Sequence, residues 1–262
     1  MIATLVDRVA FVGAYLELTQ RQKPDGAEQR WLERPGARLE SWLFRPPGQS
    51  GPVPAVLYFH GNAELIDVNV PLANAYLAQG YAVLLAEYRG FGRSTGTPSS
   101  ASLPGDALAF FDLLASQPGI DPTRIVVAGR SLGGSAAAAT AENRPACALV
   151  LESTFTSLAD MVASAGVPGV FPGTALASRT ALNRFEGPIL VMHGRADEVV
   201  PFSQGEALAS TALARPYGSE RARFVAFPGG HNPMAPLRDI QTEIHAFLTA
   251  QTNCSASPRP LS

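Results

Sequence analysis

Residues 125–133 read Ile-Val-Val-Ala-Gly-Arg-Ser-Leu-Gly, a short apolar run followed by a serine between two glycines. A continuous run of four apolar residues is typical of a strand that is buried on both faces. The glycines and the serine form the pattern G-x-S-x-G, and the chain after them predicts a helix over 132–142. In this strand–turn–helix setting the serine lies on a strained turn with its hydroxyl above the sheet. We therefore predict that Ser131 is a nucleophile rather than an incidental turn serine.

Strands and helices alternate on both sides of this motif. Such alternation with continuous apolar strands predicts an α/β fold with a mainly parallel central sheet and helices on both faces. Two alternating runs around Pro35-Gly36 predict an antiparallel N-terminal hairpin at one edge. The runs are Glu28 to Glu33 and Arg38 to Phe44, the further predicted strands are 55–59, 81–86, 125–128, 148–151, 189–192 and 223–227, and the predicted helices are 69–79, 105–116, 132–142, 203–214 and 237–250.

A serine nucleophile needs a base, and the base needs an acid that orients it. His231 follows the strand 223–227, and Asp197 follows the strand before it. The chain order Ser131, Asp197, His231 is the order in which a sheet of this kind presents a catalytic triad. We predict these three residues as catalytic, with Glu152, directly after another strand, as the alternative acid.

The transition state of acyl transfer needs N–H donors for the developing oxyanion. One predicted donor is the backbone N–H of Leu132, and the other is that of Asn62, in the loop after the strand 55–59. His60 in the same loop and His193 at the end of its strand are interpreted as supports of their loops.

Composition excludes several classes of protein. The chain has 262 residues, 46% of them hydrophobic and 16% charged, so a sizeable core is expected. A net charge of −2 leaves no basic field for nucleic acid. Cys147 lies in an apolar run and Cys254 in a polar tail, so we expect no disulfide framework. Neither cysteine has a partner at metal-ligand spacing, and we expect no metal and no cofactor.

The predicted organisation has three parts. Residues 1–27 form a segment packed on the domain, either as a docked amphipathic helix or as a membrane-surface anchor with weak peripheral contact. Residues 28–251 form one domain, and a flexible tail is expected over 252–262. The sequence contains no convincing membrane span or export signal, which predicts a cytoplasmic protein.

These features together resemble the serine hydrolases of the α/β-hydrolase fold. The resemblance is closest to a small group without a large cap domain, which includes protein depalmitoylases and uncharacterised bacterial esterase-like proteins. The sequence differs from that group at Glu87, where the group usually has aspartate in a structural position. The resemblance covers residues 28–250 and is carried by His60-Gly61-Asn62, 87–94, Gly129 to Gly133, 151–157, 193–201 and Gly230-His231-Asn232.

The expected reaction is hydrolysis of a small-molecule carboxylic ester or thioester through an acyl-serine intermediate. The alternatives are a serine aminopeptidase-like peptidase and a non-catalytic ligand-binding protein of the same fold. In this fold the connection over 155–185 carries lids and acyl pockets. Its uncharged middle, with Met161 and Phe171, is interpreted either as a short lid with an acyl-pocket wall or as ordinary core packing.

Overall fold

An eight-stranded sheet runs through the computed structural model of the protein, which describes residues 11, 14, 23–48, 51–164, 176–251 and 253–256. The strand order is β1-β2-β4-β3-β5-β6-β7-β8. The β1–β2 and β2–β4 pairs are antiparallel, and all pairs from β4 to β8 are parallel. This is the predicted fold class, which is confirmed. The strands are β1 (Glu28–Arg34), β2 (Ala37–Phe44), β3 (Val53–Phe59), β4 (Ala82–Ala86), β5 (Ile120–Arg130), β6 (Ala148–Glu152), β7 (Ile189–Gly194) and β8 (Ala222–Phe227).

Helices cover both faces of this sheet, which is why the central strands are apolar without alternation. Neighbouring residues of β3 enter different cores: Leu57 and Phe59 belong to one, Val56 and Tyr58 to the other. The helices are α1 (Val70–Ala78), α2 (Leu103–Ala115), α3 (Leu132–Asn143), α4 (Leu158–Ser164), α5 (Ser178–Arg184), α6 (Phe202–Ala214), α7 (Gly218–Arg221) and α8 (Leu237–Ala250), and a 3₁₀ turn, Ile66–Asn69, precedes α1. In the described ranges, no helix has both the length and the apolar character needed to cross a membrane.

One central strand is longer than its apolar pattern predicts. The sequence indicates only 125–128, whereas β5 covers Ile120–Arg130. Ile120 pairs with Val53, and the register shifts before the regular pairing resumes at Ile125 with Ala55. The polar residues between the two pairs conceal the first part of the strand from a pattern based on hydrophobicity.

The two cysteines form a disulfide, so the expectation of no such bond is wrong. Their Cα atoms are 5.5 Å apart, although 107 residues separate them along the chain. Cys254 is fully buried, and its carbonyl oxygen accepts a hydrogen bond of 2.8 Å from Tyr81 Oη. The apolar side of α8 packs on the second core and returns the chain to the sheet beside Cys147. The residue is therefore not in a flexible tail; residues 252 and 257–262 lie outside the described residues.

The N-terminal segment is described at few positions. Phe11 is 1% exposed and belongs to the first core, and Ala14 packs against the same core. Residues 23–27 are also described and lead into β1, and the two interpretations of residues 1–27, a docked helix and a membrane anchor, otherwise fall on residues 1–10, 12–13 and 15–22, which lie outside the described ones.

Candidate active site

Ser131 occupies a strained turn between β5 and α3. Its φ of 53° and ψ of −118° lie in a region that side-chain-bearing residues rarely adopt. Two hydrogen bonds to the next strand and its loop hold the turn. The N–H of Ser131 donates to the carbonyl of Glu152 at 2.9 Å, and its own carbonyl accepts from Thr154 Oγ1 at 2.6 Å. The strain is thus maintained by the neighbouring strand β6.

The glycines beside the serine are required by close backbone contact. A Cβ added to Gly129 would lie 2.1 Å from the carbonyl oxygen of Gly133. One added to Gly133 would lie 2.1 Å from the carbonyl oxygen of Phe59, at the end of β3. The G-x-S-x-G pattern is therefore a packing requirement of a turn that is pressed against the loop after β3.

His231 and Asp197 are hydrogen-bonded across two loops. The Nδ1 atom of His231 lies 2.9 and 3.0 Å from the two carboxylate oxygens of Asp197. The N–H groups of Val199 and Val200 donate to the same carboxylate at 2.9 and 2.8 Å. Burial alone would raise the pKa of Asp197, but hydrogen bonds from His193 and His231 hold it far below its ordinary range. An ionised Asp197 places the proton of His231 on Nδ1 and leaves Nε2 as the basic nitrogen.

His193 supports Asp197 from the end of the neighbouring strand β7. It is fully buried at the end of β7, and its Nε2 atom lies 2.9 Å from the carbonyl oxygen of Val200 and 3.2 Å from Asp197 Oδ2. A Cβ on Gly205 would approach its Nδ1 atom to 2.4 Å, so α6 packs directly on the ring. This is the supporting role that the sequence predicts for His193.

His60 supports the loop after β3. Its ring nitrogens lie 2.8 Å from the carbonyl oxygen of Gly61 and 2.7 Å from Glu87 Oε1. Burial lowers the pKa of His60, but the Glu87 carboxylate outweighs it and the pKa is raised. Glu87 Oε2 also accepts the N–H of Ile66 at 3.0 Å. Glu87, where the group that the sequence resembles usually has aspartate, thus fixes both ends of the loop that contains Asn62.

The two predicted oxyanion donors lie on elements that meet at the serine turn. Leu132 is the first residue of α3, and N–H groups in a first helical turn have no acceptor within the helix. Asn62 lies in the loop after β3, and that loop is joined to the serine turn by an ion pair between Glu64 and Arg130. The Asn62 Oδ1 atom is buried without a hydrogen-bond partner among the described residues.

Glu152, the alternative acid, occupies a different position. It ends β6 opposite Arg130, and both hydrogen bonds of the His231 Nδ1 atom go to Asp197. Its side chain is buried, and Oε1 has no hydrogen-bond partner within the described ranges. Burial and the nearby Glu64 carboxylate raise the pKa of Glu152 to about 7, although Arg130 opposes the shift.

We expect Glu152→Gln to stabilise the protein at alkaline pH. The pKa of Glu152 is higher in the folded state than its ordinary value of 4.5. The folded protein therefore loses stability as the pH rises from 4.5 through about 7, where the buried carboxyl group ionises. Since a tenfold change in acidity corresponds to about 1.4 kcal/mol, the gain at pH 8 is expected to be on the order of 2–3 kcal/mol. It should vanish near pH 4, where the wild-type side chain is also neutral. Urea unfolding at both pH values measures it.

Glu64→Gln is the matched control for this prediction. Burial raises the pKa of Glu64, but the charge of Arg130 outweighs that effect and lowers it below its ordinary value. Its stabilising contribution is therefore present above the ordinary pKa, and Glu64→Gln should destabilise the protein at pH 8. An effect of the same sign in both variants would contradict this account of the cluster.

The predicted pocket residues are only partly described. Met161 lies on α4, is half-buried and packs against the first core. Phe171 lies outside the described residues. The pocket wall over the middle of this connection therefore stays a prediction, and core packing of Met161 stays its alternative.

Three polar residues of the site were missed by sequence reasoning. Arg130 pairs with Glu64, and its Nη1 atom donates to Asn232 Oδ1 at 3.2 Å. The motif pattern treats the position of Arg130 as arbitrary, and the other two residues lie in loops whose approach depends on the fold. An arginine directly before the predicted nucleophile, just after the apolar run 125–128, was the signal available.

Comparisons with known proteins place the chain in a family. The family model described as "Serine aminopeptidase, S33" matches residues 50–180. An uncharacterized protein of Mycobacterium tuberculosis is 38% identical over 226 residues, covering 82% of this chain and 76% of that protein. The protein bem46 of Schizosaccharomyces pombe is 34% identical over 242 residues, covering 86% of this chain and 78% of that protein. The α/β hydrolase domain-containing protein WAV2 of Arabidopsis thaliana is 34% identical over 227 residues, covering 78% of this chain and 71% of that protein.

Solved structures of esterases share the fold at lower identity. Esterase 2 of Thermogutta terrifontis, phosphoramylated by tabun, superposes with a TM-score of 0.74 at 19% identity and covers 92% of this chain and 100% of its own. Est1E of Butyrivibrio proteoclasticus, with bound ferulic acid, superposes with a TM-score of 0.73 at 18% identity (85% and 99%). With the sheet order and the relatives in agreement, the chain belongs to the α/β-hydrolase family.

Proposed function

We propose that the protein is a serine hydrolase that cleaves a small-molecule carboxylic ester or thioester through an acyl-serine intermediate. The observation that carries the proposal is the hydrogen bond from His231 Nδ1 to the Asp197 carboxylate, on loops beside the strained Ser131 turn. A buried carboxylate, an imidazole and a serine on such a turn are the three groups that this reaction needs.

The proposed mechanism gives each of these groups one role. His231 Nε2 accepts the proton of Ser131 Oγ as that oxygen attacks the acyl carbon, and the Asp197 carboxylate stabilises the imidazolium that forms. The N–H groups of Leu132 and Asn62 donate to the oxyanion. The imidazolium then protonates the departing alcohol or thiol, and the acyl group remains on Ser131. A water molecule, deprotonated by His231, releases the acid and restores the serine.

Two solved structures of a neighbour in the same fold support a covalent mechanism. Esterase 2 of Thermogutta terrifontis carries phosphorus groups from tabun and from paraoxon. Organophosphorus reagents of this kind phosphorylate activated nucleophiles of the type that we propose for Ser131. A fluorophosphonate probe is therefore a suitable reagent for this chain.

Peptide-bond cleavage is the second candidate, because the matching family model is described as a serine aminopeptidase. The two candidates share the same nucleophile and base and differ in the leaving group. We test them with p-nitrophenyl esters of increasing acyl length, run beside aminoacyl p-nitroanilides. Turnover of the esters with little turnover of the anilides is expected. The reverse preference would favour the peptidase, and no turnover in either series would favour a non-catalytic binding protein.

We expect kcat/KM to rise with acyl length and then stop at short or medium chains. Each buried CH₂ group is worth about 0.8 kcal/mol, which is roughly fourfold in kcat/KM per methylene while the pocket has room. If the connection after β6 lines that pocket, Met161→Ala and Phe171→Ala should move the optimum to longer or bulkier acyl groups. Leu213→Ala, at an exposed position of α6, is the control and should leave the optimum unchanged. An unchanged optimum in both pocket variants would show that the segment serves core packing.

We also propose a cytoplasmic location, and the disulfide makes this testable. Disulfides persist in oxidising compartments, whereas glutathione and thioredoxin keep cytoplasmic thiols reduced. In a cytoplasmic protein, the bond between Cys147 and Cys254 seen in the structure is expected to form only after the protein leaves the reducing cytoplasm. Acid-quenched cells followed by maleimide alkylation and mass measurement should therefore show two free thiols, and the air-oxidised purified protein none. A bridged protein in the quenched cells would contradict the proposed location.

A further inference from the structure

A single arginine joins three loops of the candidate site. Arg130 ends β5, and its guanidinium group forms an ion pair with Glu64 in the loop after β3. The same group donates to Oδ1 of Asn232, in the loop after β8, at 3.2 Å. The Arg130 side chain is 19% exposed and that of Glu64 is 11% exposed, so the pair is largely shielded from water.

We propose that Arg130 is a positioning residue that holds the oxyanion loop and the histidine loop in place around the nucleophile. The inference rests on the proposed function. Each contact of the guanidinium lies next to a group with a proposed catalytic role. Arg130 itself directly precedes Ser131, Glu64 follows Asn62 by two residues, and Asn232 directly follows His231.

The charges around Arg130 explain why this position needs an arginine. Glu64 is ionised at neutral pH because the Arg130 charge lowers its pKa despite burial, and its Oε2 atom accepts from Asn69 Nδ2 at 3.2 Å. Removing the arginine would leave this shielded carboxylate without its counter-ion, which is strongly unfavourable. The planar guanidinium also serves two partners in different directions, which a lysine ammonium on a flexible stem does less well.

The arrangement matters for catalysis because the proposed donors and base lie on different loops. A displacement of about 1 Å at a reacting group can cost roughly a hundredfold in rate. The backbone of β5 fixes Ser131, but Asn62 and His231 depend on how their loops are held. Loss of Arg130 should therefore lower kcat much more than it raises KM.

The experiment compares Arg130→Gln and Arg130→Lys with a matched control. Arg144→Gln removes an arginine that likewise pairs with a carboxylate, with bonds of 2.6 and 2.8 Å to Asp112, but on the surface at the end of α3. Hydrogen exchange is measured by mass spectrometry over residues 60–69 and 228–236, and kcat and KM are measured on the best ester. We expect Arg130→Gln to speed exchange in both loops and to lower kcat by about a hundredfold with KM within about threefold. Arg130→Lys should recover part of kcat, and Arg144→Gln should match wild type.

Asn232→Ala keeps the proposal testable if Arg130→Gln does not fold. Asn232 is exposed, so its truncation should preserve the fold while removing one of the two contacts of Arg130. We expect faster exchange over residues 228–236 only, and a fall in kcat of roughly tenfold, the worth of one hydrogen bond to a charged group.

Two results would overturn the inference. One is unchanged exchange in the loops of these variants. The other is faster exchange with kcat as in Arg144→Gln, since Arg130 would then stabilise the loops without positioning the reacting groups. Fluorophosphonate labelling of the wild type distinguishes a failure of the Arg130 inference from a failure of the proposed function. An unlabelled wild type refutes the serine mechanism, whereas a labelled wild type with unchanged exchange in Arg130→Gln refutes only the role of Arg130.

Discussion

Ser131→Ala should abolish labelling by a fluorophosphonate probe and lower ester turnover by about six orders of magnitude, as expected for loss of the nucleophile of a triad. The reason is geometric as well as chemical. Ser131 is held at a positive φ on the turn into α3, where its hydroxyl is offered at the helix N-terminus. Alanine at this position has no oxygen with which to form the acyl intermediate. In-gel fluorescence and stopped assays on the ester series measure the two effects.

Ser135→Ala is the matched control for this prediction. Ser135 lies on the same helix, is buried, and donates its hydroxyl to the carbonyl of Leu132 at 2.7 Å. Its replacement changes a nearby hydroxyl without touching the proposed nucleophile, so labelling should be retained. Labelling that survives in Ser131→Ala would show that another residue reacts with the probe.

Asp197→Asn should lower kcat by about four orders of magnitude, by analogy with the same replacement in a chymotrypsin-type triad. The carboxylate accepts the Nδ1 proton of His231 at 2.9 Å, and a neutral amide in its place can donate to that nitrogen and favour the wrong tautomer. The loss of the negative charge also removes the stabilisation of the imidazolium. Burst and steady-state kinetics on the best ester measure the effect.

Glu152→Gln tests the choice of acid. Glu152 is buried beside Arg130, and the Nδ1 atom of His231 is directed at Asp197 instead. We therefore expect Glu152→Gln to retain most of kcat, within about tenfold of wild type, since surrounding effects on a triad are smaller than loss of a member. A larger loss in Glu152→Gln than in Asp197→Asn would reverse the assignment.

The fold was largely predictable because its central strands are buried on both faces. β3, for example, is a continuous apolar run, and all seven of its residues are buried. The prediction was incomplete where a strand contains polar residues, because the hydrophobic pattern then does not show it. The first half of β5 contains polar residues and is a strand only because Ile120 pairs with Val53. The short helices α4, α5 and α7 were also not predicted, since runs of four to seven residues contain too few turns to show a helical period.

The disulfide illustrates the same limit. Cys254 lies in a polar stretch that continues to Pro258 and Pro260, and this local sequence is typical of an exposed tail. Its burial depends on the four-turn helix α8, whose apolar side packs on the sheet and brings the end of the chain to Cys147. A contact across 107 residues leaves no mark in the sequence near either cysteine.

The sequence by itself determined which groups we propose for the chemistry, because a serine on a tight turn imposes glycines at fixed spacing and the strand ends carry the remaining residues. The tertiary structure alone decided how these groups are supported. The ion pair of Arg130 with Glu64 and the burial of Glu152 arise from residues far apart in the chain. These residues meet at the C-terminal ends of the central strands. Motifs record short-range backbone geometry, whereas charge pairing and desolvation depend on distances that only the folded chain sets.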